Sequence, residues 1–325
     1  MSKKSEAKAL VQDVVVALIV VAIVLGSLYI YGGRWPPMVV VESESMQHDD
    51  ELSYISVIDT GDLTLVRTLE NAGAPVTWVE GRETDYRRYG EFGDVIIYHK
   101  NDLTQTTPII HRAIVRIEYD ETSGGFDVPT LGEQDVTERF EIEDFHSYHN
   151  GRLETIDLVI DVSSILNNFK LNNDADPHGG IITKGDHNRE VDQASLPAWT
   201  EPGASPEGVS RLVEPVEEDW IVGVARGEIP WFGLIKLWAR GQTEFHPAPV
   251  NSGPNLMISV ALLLVAPFLA ESTIIEYRNL HPKEERPEKG RRRRRGGDGE
   301  EEERQGPISF IVGTLRNAFT GKVDK

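Results

Sequence analysis

Ser45, His111 and Asp192 are the residues whose types and order could do chemistry in this 325-residue chain. A serine hydroxyl attacks an acyl carbon only when a base takes its proton. Imidazole suits that task because its unperturbed pKa lies near neutrality. A carboxylate that orients the ring and stabilises its charged form completes the set. Ser45 follows the β-branched run Val39-Val40-Val41 and precedes Met46. His111-Arg112 comes 66 positions after Ser45, and the run Thr183-Lys184-Gly185-Asp186-His187-Asn188 begins 72 positions after His111. That run offers a second carboxylate, Asp186, six residues before Asp192. The chain holds nine histidines and no cysteine. A thiolate nucleophile, a disulfide framework and a cysteine metal site are therefore excluded. No His-x-x-x-His pair argues for metal hydrolysis, and no cofactor is expected.

These residues need strands to hold them. Residues 57–66 carry short apolar runs around Gly61-Asp62, and 92–98 repeat the pattern around Gly93-Asp94. Residues 109–117 alternate from Arg112 onward, while 181–183 and 220–225 complete the set. Short strands bounded by Gly, Asp and Pro predict a mainly β domain. No helix-period run of useful length stands out between the two apolar segments. Residues 120–178 are acidic, poor in strand signals and rich in turn formers, which predicts an inserted acidic lobe. Residues 156–162 read as a strand inside it. Residues 197–215, rich in Pro, Gly, Ser and Glu, read as a mobile loop.

Two apolar segments flank this domain. Residues 14–30 are almost wholly aliphatic; 256–270 form a second segment, extended by Ile274 and Ile275. A bilayer-crossing helix needs about 20 apolar residues. The first segment is too long for a cleaved leader, and no small-residue cleavage site follows it. Lys3, Lys4 and Lys8 precede the first segment; Arg278, Lys283, Arg286, Lys289 and five arginines at 291–295 follow the second. Basic flanks predict cytoplasmic termini and a domain on the outer face. Trp35, Trp231 and Trp238 are candidates for its membrane interface. The expected organisation is 1–34, anchor; 35–250, outer β domain with the 120–178 insertion; 251–277, second span; 278–325, charged linker and tail. In that tail Ile308, Ile311, Val312, Leu315 and Phe319 recur at helical spacing, as an interfacial or partner-binding helix would.

Charge divides along the same lines. Of the chain's 33 basic and 53 acidic residues, four and two precede residue 35 and 13 and nine follow residue 276. Residues 35–276 thus hold 16 against 42, near −26. So acidic a surface repels itself at ordinary salt and predicts a halophile's outer domain, or an acidic face for cationic partners. Nucleic acid is not an expected partner.

The ordered motifs together resemble the type I signal peptidases of the archaeal and endoplasmic-reticulum branch, in a haloarchaeal-like form. The matching residues are Ser43-Glu44-Ser45-Met46, Gly61-Asp62, Gly93-Asp94, His111-Arg112, Gly185-Asp186-His187-Asn188 with Asp192, and the closing segment 222–233. The resemblance implies a signal-peptidase-type β domain flanked by two transmembrane helices. It implies Ser45 as nucleophile, His111 as general base, Asp192 as its carboxylate partner and Asp186 as an auxiliary. It also implies an oxyanion site from the Ser45 amide with the Ser43 hydroxyl, Met46 packed beneath the nucleophile, and an edge at Val39 to Val41 for an extended substrate. Expected partners are secreted preproteins with signal peptides and the lipid bilayer, with the protein-export translocon a further candidate. The sequence departs from the pattern at Glu44, where the family has Gly, at Gln47-His48, where a Pro stands two after Met, and at His187, where Asn is usual. Two other classes remain open: a non-catalytic subunit that binds signal peptides, and a surface-anchored acidic β module.

Overall fold

The computed structural model describes residues 3–172, 175–194, 212–244 and 247–281. The expected loop at 197–215 falls mostly outside these residues, and the tail helix at 307–322 falls wholly outside them. The chain divides into two units, Met1–Leu256 and Met257–Lys325. Helix α1 spans Lys3–Gly32, and most of its apolar residues between Val14 and Ile30 are exposed around the circumference. The last helix, Ser252–Leu280, likewise exposes Leu262, Leu263, Phe268, Leu269 and Ile275. Each is long and apolar enough to cross a membrane.

Between them the chain is mainly antiparallel sheet. Strands β1 (Met38–Val40) and β2 (Leu63–Arg67) pair, then come helices α2 (Leu69–Ala72) and α3 (Trp78–Thr84). Strands β3 (Arg87–Arg88) and β4 (Glu91–Phe92) form a small ribbon before β5 (Val95–Tyr98) and the long β6 (Ile109–Asp120). Next come β7 (Gly125–Val128), β8 (Glu133–Val136), β9 (Arg139–Ser147), β10 (Glu154–Asp161) and helix α4 (Val162–Leu171). Strands β11 (Gly180–Lys184) and β12 (Ile221–Ile229), helix α5 (Leu234–Arg240) and the last helix, α6, complete the order. The main sheet runs β1-β2-β12-β5-β6-β7-β8, with β11 also on β6.

Strand β5 shows why the sheet can position a site. Its four residues are all buried, because Val95 and Ile97 join a cluster with Val41, Met46 and Val66, while Ile96 and Tyr98 join one with Ala113, Ile181 and Val224. Side chains alternate across a strand, so both faces of β5 are covered. The same covering removes the expected alternation in β6. Arg112, Ala113, Ile114 and Val115 are all buried, since β6 is an inner strand between β5 and β11.

The 120–178 region corrects two expectations. It does lie between the paired core strands β6 and β11, and residues 154–161 do form a strand. It is not poor in strands, however: β7 to β10 and α4 all fall within it. Their inward residues Phe126, Phe140, Ile142, Phe145, Leu158, Ile160 and Phe169 build the largest core cluster with Trp78 and Ile114. Glu141 and Glu143 alternate outward between these residues, so the acidic composition hid the period of two. Helix α4 here, with α2, α3 and α5 elsewhere between the two apolar segments, also breaks the expectation of no helix in that stretch. In α4 the buried Val162, Ile165 and Phe169 keep a helical spacing, and Asp161 caps its start by accepting from the Ser164 amide at 3.0 Å. Ten residues were too few for that spacing to stand out.

Candidate active site

Ser45 sits in a turn five residues past the end of β1, closed by the Gln47 amide donating to the Glu44 carbonyl at 3.0 Å. Met46 points inward and is 1 % exposed, packed with Val41, Ile58 and Val95, and Val39 lies against the same cluster. Gln47 is buried, and its side-chain oxygen accepts from the Thr60 amide at 3.3 Å. From the other side the His187 amide donates to the Ser45 carbonyl at 2.9 Å. Gly185 is required here, because any Cβ on it would collide with that same carbonyl. The 185–187 turn thus fixes the backbone of Ser45.

The side chains meet in a line. Ser45 Oγ lies 2.9 Å from His111 Nε2, and His111 Nδ1 lies 2.6 Å from Asp192 Oδ2. An ionised carboxylate only accepts, so Nδ1 carries the hydrogen and Nε2 presents its lone pair to the serine hydroxyl. Burial would raise the Asp192 carboxyl, but the His111 imidazole and two hydroxyls outweigh it and hold it below the ordinary range. Those hydroxyls are Thr183 Oγ1 at 2.6 Å and Tyr98 Oη at 2.9 Å, both donating to Oδ2. Burial, then the Asp192 charge, pushes Tyr98 well above its ordinary value, so it remains a donor. Ser43 Oγ lies 3.1 Å from Ser45 Oγ. Such an arrangement can withdraw a proton from a hydroxyl and return it to a leaving group.

Asp186 has other partners. Its Oδ1 accepts from Arg112 Nε at 2.7 Å, and its Oδ2 accepts from Arg112 Nη2 at 2.6 Å and lies 2.9 Å from His48 Nε2. No hydrogen bond joins it to Ser45 or His111. Burial alone would raise this carboxyl, but Arg112 beside it drives it far below the carboxylate range. Lys184 is buried behind the same turn. Its Nζ donates to the Gly185 carbonyl at 3.1 Å and lies 3.4 Å from Ser147 Oγ and the Asp186 carbonyl. Burial lowers it to about 8, yet it makes no hydrogen bond to Ser45.

The two Gly-Asp pairs do more than turn the chain. Asp94 is buried and takes Arg226 Nη1 at 2.7 Å and Nη2 at 3.1 Å. Asp62 accepts the Trp231 amide at 2.8 Å. Both carboxylates tie their turns to the 226–231 segment. Strand β1 ends the sheet path, and no described strand pairs its outer edge.

Sequence reasoning missed Tyr98, Thr183 and His48. Thr183 stood inside a quoted motif, nine residues before Asp192, where a strand-to-turn return could have been read. Tyr98 carried no local signal, since only the β5–β6 pairing brings it to the carboxylate. Among the described residues no group of histidines and carboxylates is arranged to hold a metal ion. No known family model matches the sequence, and no curated protein matches it either.

Proposed function

We propose that the chain is a membrane-anchored serine endopeptidase of the type I signal-peptidase kind, removing signal peptides from exported preproteins. The observation that carries this reading is the hydrogen-bonded line Ser45–His111–Asp192 at 2.9 and 2.6 Å, its serine on the loop that follows a short edge strand. His111 Nε2 takes the Ser45 proton as Oγ bonds to the substrate carbonyl carbon. The Ser45 amide and the Ser43 hydroxyl stabilise the oxyanion. His111 then gives the proton to the departing amine, which leaves an ester on Ser45. Water, deprotonated by the same imidazole, hydrolyses that ester, and Asp192 stays ionised throughout.

The free edge of β1 supports the substrate class. An extended peptide can add itself there as a strand, with its side chains alternating toward and away from the protein. Small residues before the cleaved bond follow from the resemblance. Two membrane-length helices support a substrate held at the bilayer, and their basic flanks support termini inside with the β domain outside. The test is direct. The full chain, purified in detergent at molar salt, should convert a preprotein to its mature form, read as a new N-terminus. A Ser45→Ala control should leave the preprotein intact. Failure of the unaltered chain to cut any preprotein would remove the reading.

A further inference from the structure

A second histidine–carboxylate pair lies beside the first. His48, three residues after Ser45, meets Asp186 Oδ2 through Nε2 at 2.9 Å. Asp186 is held ionised, so the Nε2–H of His48 is the donor. The imidazole lies flat on Tyr148, with ring centroids 3.5 Å apart and planes inclined by 6°. The Tyr148 amide donates to the Asp186 carbonyl at 3.1 Å. Gly90 leaves the ring its room: a Cβ there would stand 3.1 Å from His48 Cε1. Asp186 therefore grips two elements at once. One is Arg112, adjacent to His111 on β6; the other is His48, on the loop that carries Ser45.

The covalent chain and these contacts form a closed circuit: Ser45 to His48, His48 to Asp186, Asp186 to Arg112, Arg112 to His111, and His111 Nε2 back to Ser45 Oγ. We propose that His48 is a positioning residue which, through Asp186, fixes the nucleophile loop against the strand that bears the base. This rests on Ser45 acting as the nucleophile. His48 touches no reacting atom, and its bond to a buried ionised carboxylate is of the stronger kind. The chemistry it protects is distance-sensitive, since a displacement of about 1 Å can cost 10²-fold in rate. Met46 and Gln47 anchor the same loop, so the rival is that His48 is redundant with them.

Two substitutions separate the ring from its hydrogen bond. His48→Phe keeps a ring against Tyr148 and removes the donor. His48→Gln places an amide N–H within reach of Asp186 and removes the stack. Each full-length variant is reacted with a fluorophosphonate, which forms an Oγ–P bond at Ser45 and expels fluoride; intact mass reports the rate. Preprotein cleavage is followed in parallel, and thermal melts establish folding. His48→Phe should label and cleave about tenfold or more slowly with KM little changed, a loss in kcat. His48→Gln should restore most of the rate. Wild-type labelling speed in His48→Phe, or equal losses in both variants, would overturn the positioning role. Normal labelling with the His48 dependence intact, but no preprotein cleavage, would instead remove the signal-peptidase reading. Absence of both labelling and preprotein cleavage in the unaltered protein would overturn both.

Discussion

Asp192 gathers three hydrogen bonds on one oxygen, from His111, Tyr98 and Thr183, and the residue-scale predictions follow from that. On the proposed reading, Ser45→Ala removes the nucleophile and should abolish cleavage. His111→Ala should do the same. His111→Lys should fail as well, because an amine reaches neutrality near pH 7 only when deeply desolvated. Asp192→Ala leaves the ring unheld, and a loss of about 10⁴ in rate is the scale for such a change. Tyr98→Phe removes one of three donors to Oδ2 and should cost about tenfold, the worth of one hydrogen bond to a charged group. Steady-state rates on one preprotein order the series. A Tyr98→Phe rate as low as that of Asp192→Ala would mean that the phenol does more than hold the carboxylate. Ser45, His111 and Asp192 were legible in the sequence because their order and spacing form ordered motifs. Tyr98 was not, since a phenol at the end of a buried strand looks the same with or without a carboxylate above it.

Elements divide the acids into two groups with opposite pH signatures. Asp186 and Asp192 sit on the turn after β11 and just beyond it, and both are held low by cationic or donor partners. Their contribution is present above the unfolded carboxylate range and is lost as pH falls through their depressed values. Asp59, Asp62 and Glu228 sit between the Gly61 turn and β12 and behave oppositely. Burial raises Asp59 to about 8, Asp62 to about 6 and Glu228 to about 7. When the unfolded chain has already ionised Asp59, the folded chain still holds its proton. The resulting penalty grows as pH rises from about 4 to about 8 and is then constant. Asp59→Asn removes that titration. It should raise the melting temperature at pH 8 and raise it less at pH 5, in melts of the full chain in detergent at constant salt. An equal shift at both pH values would show that packing, not ionisation, sets its effect. The β character of the elements was legible wherever Gly-Asp turns bounded apolar runs. The strands of the inserted lobe were not, because alternating Glu and apolar residues averaged to an acidic, low-hydropathy stretch.

At the scale of the whole molecule, the −26 carried by residues 35–276 predicts that stability depends on salt. The structure places many of these charges outward: Glu133, Asp135, Glu141, Glu143, Asp144, Glu154, Asp157 and Asp161 are all exposed on the inserted lobe. At the bulge in the β9–β10 pair Asp157 falls opposite Glu143 and Asp144, so like charges meet across the strands there. Screening relieves this in a characteristic way. The Debye length falls from about 30 Å at 0.01 M to about 10 Å at 0.1 M and about 3 Å at 1 M. The melting temperature of the full chain should therefore climb steeply in the first few tenths molar of KCl and flatten toward molar salt. Salting-out of apolar surface would give a different curve, still rising at high concentration and steeper for sulfate than for chloride at equal ionic strength. A midpoint unchanged between dilute buffer and molar chloride would refute the requirement for salt, and a curve set by the anion would assign it to the hydrophobic core. Charge reversal separates the two from the protein's side. Replacing Glu141, Glu143 and Asp157 together with Lys leaves the buried residues of β9 and β10 in place, and it should raise stability at 0.05 M KCl while changing it little at 2 M.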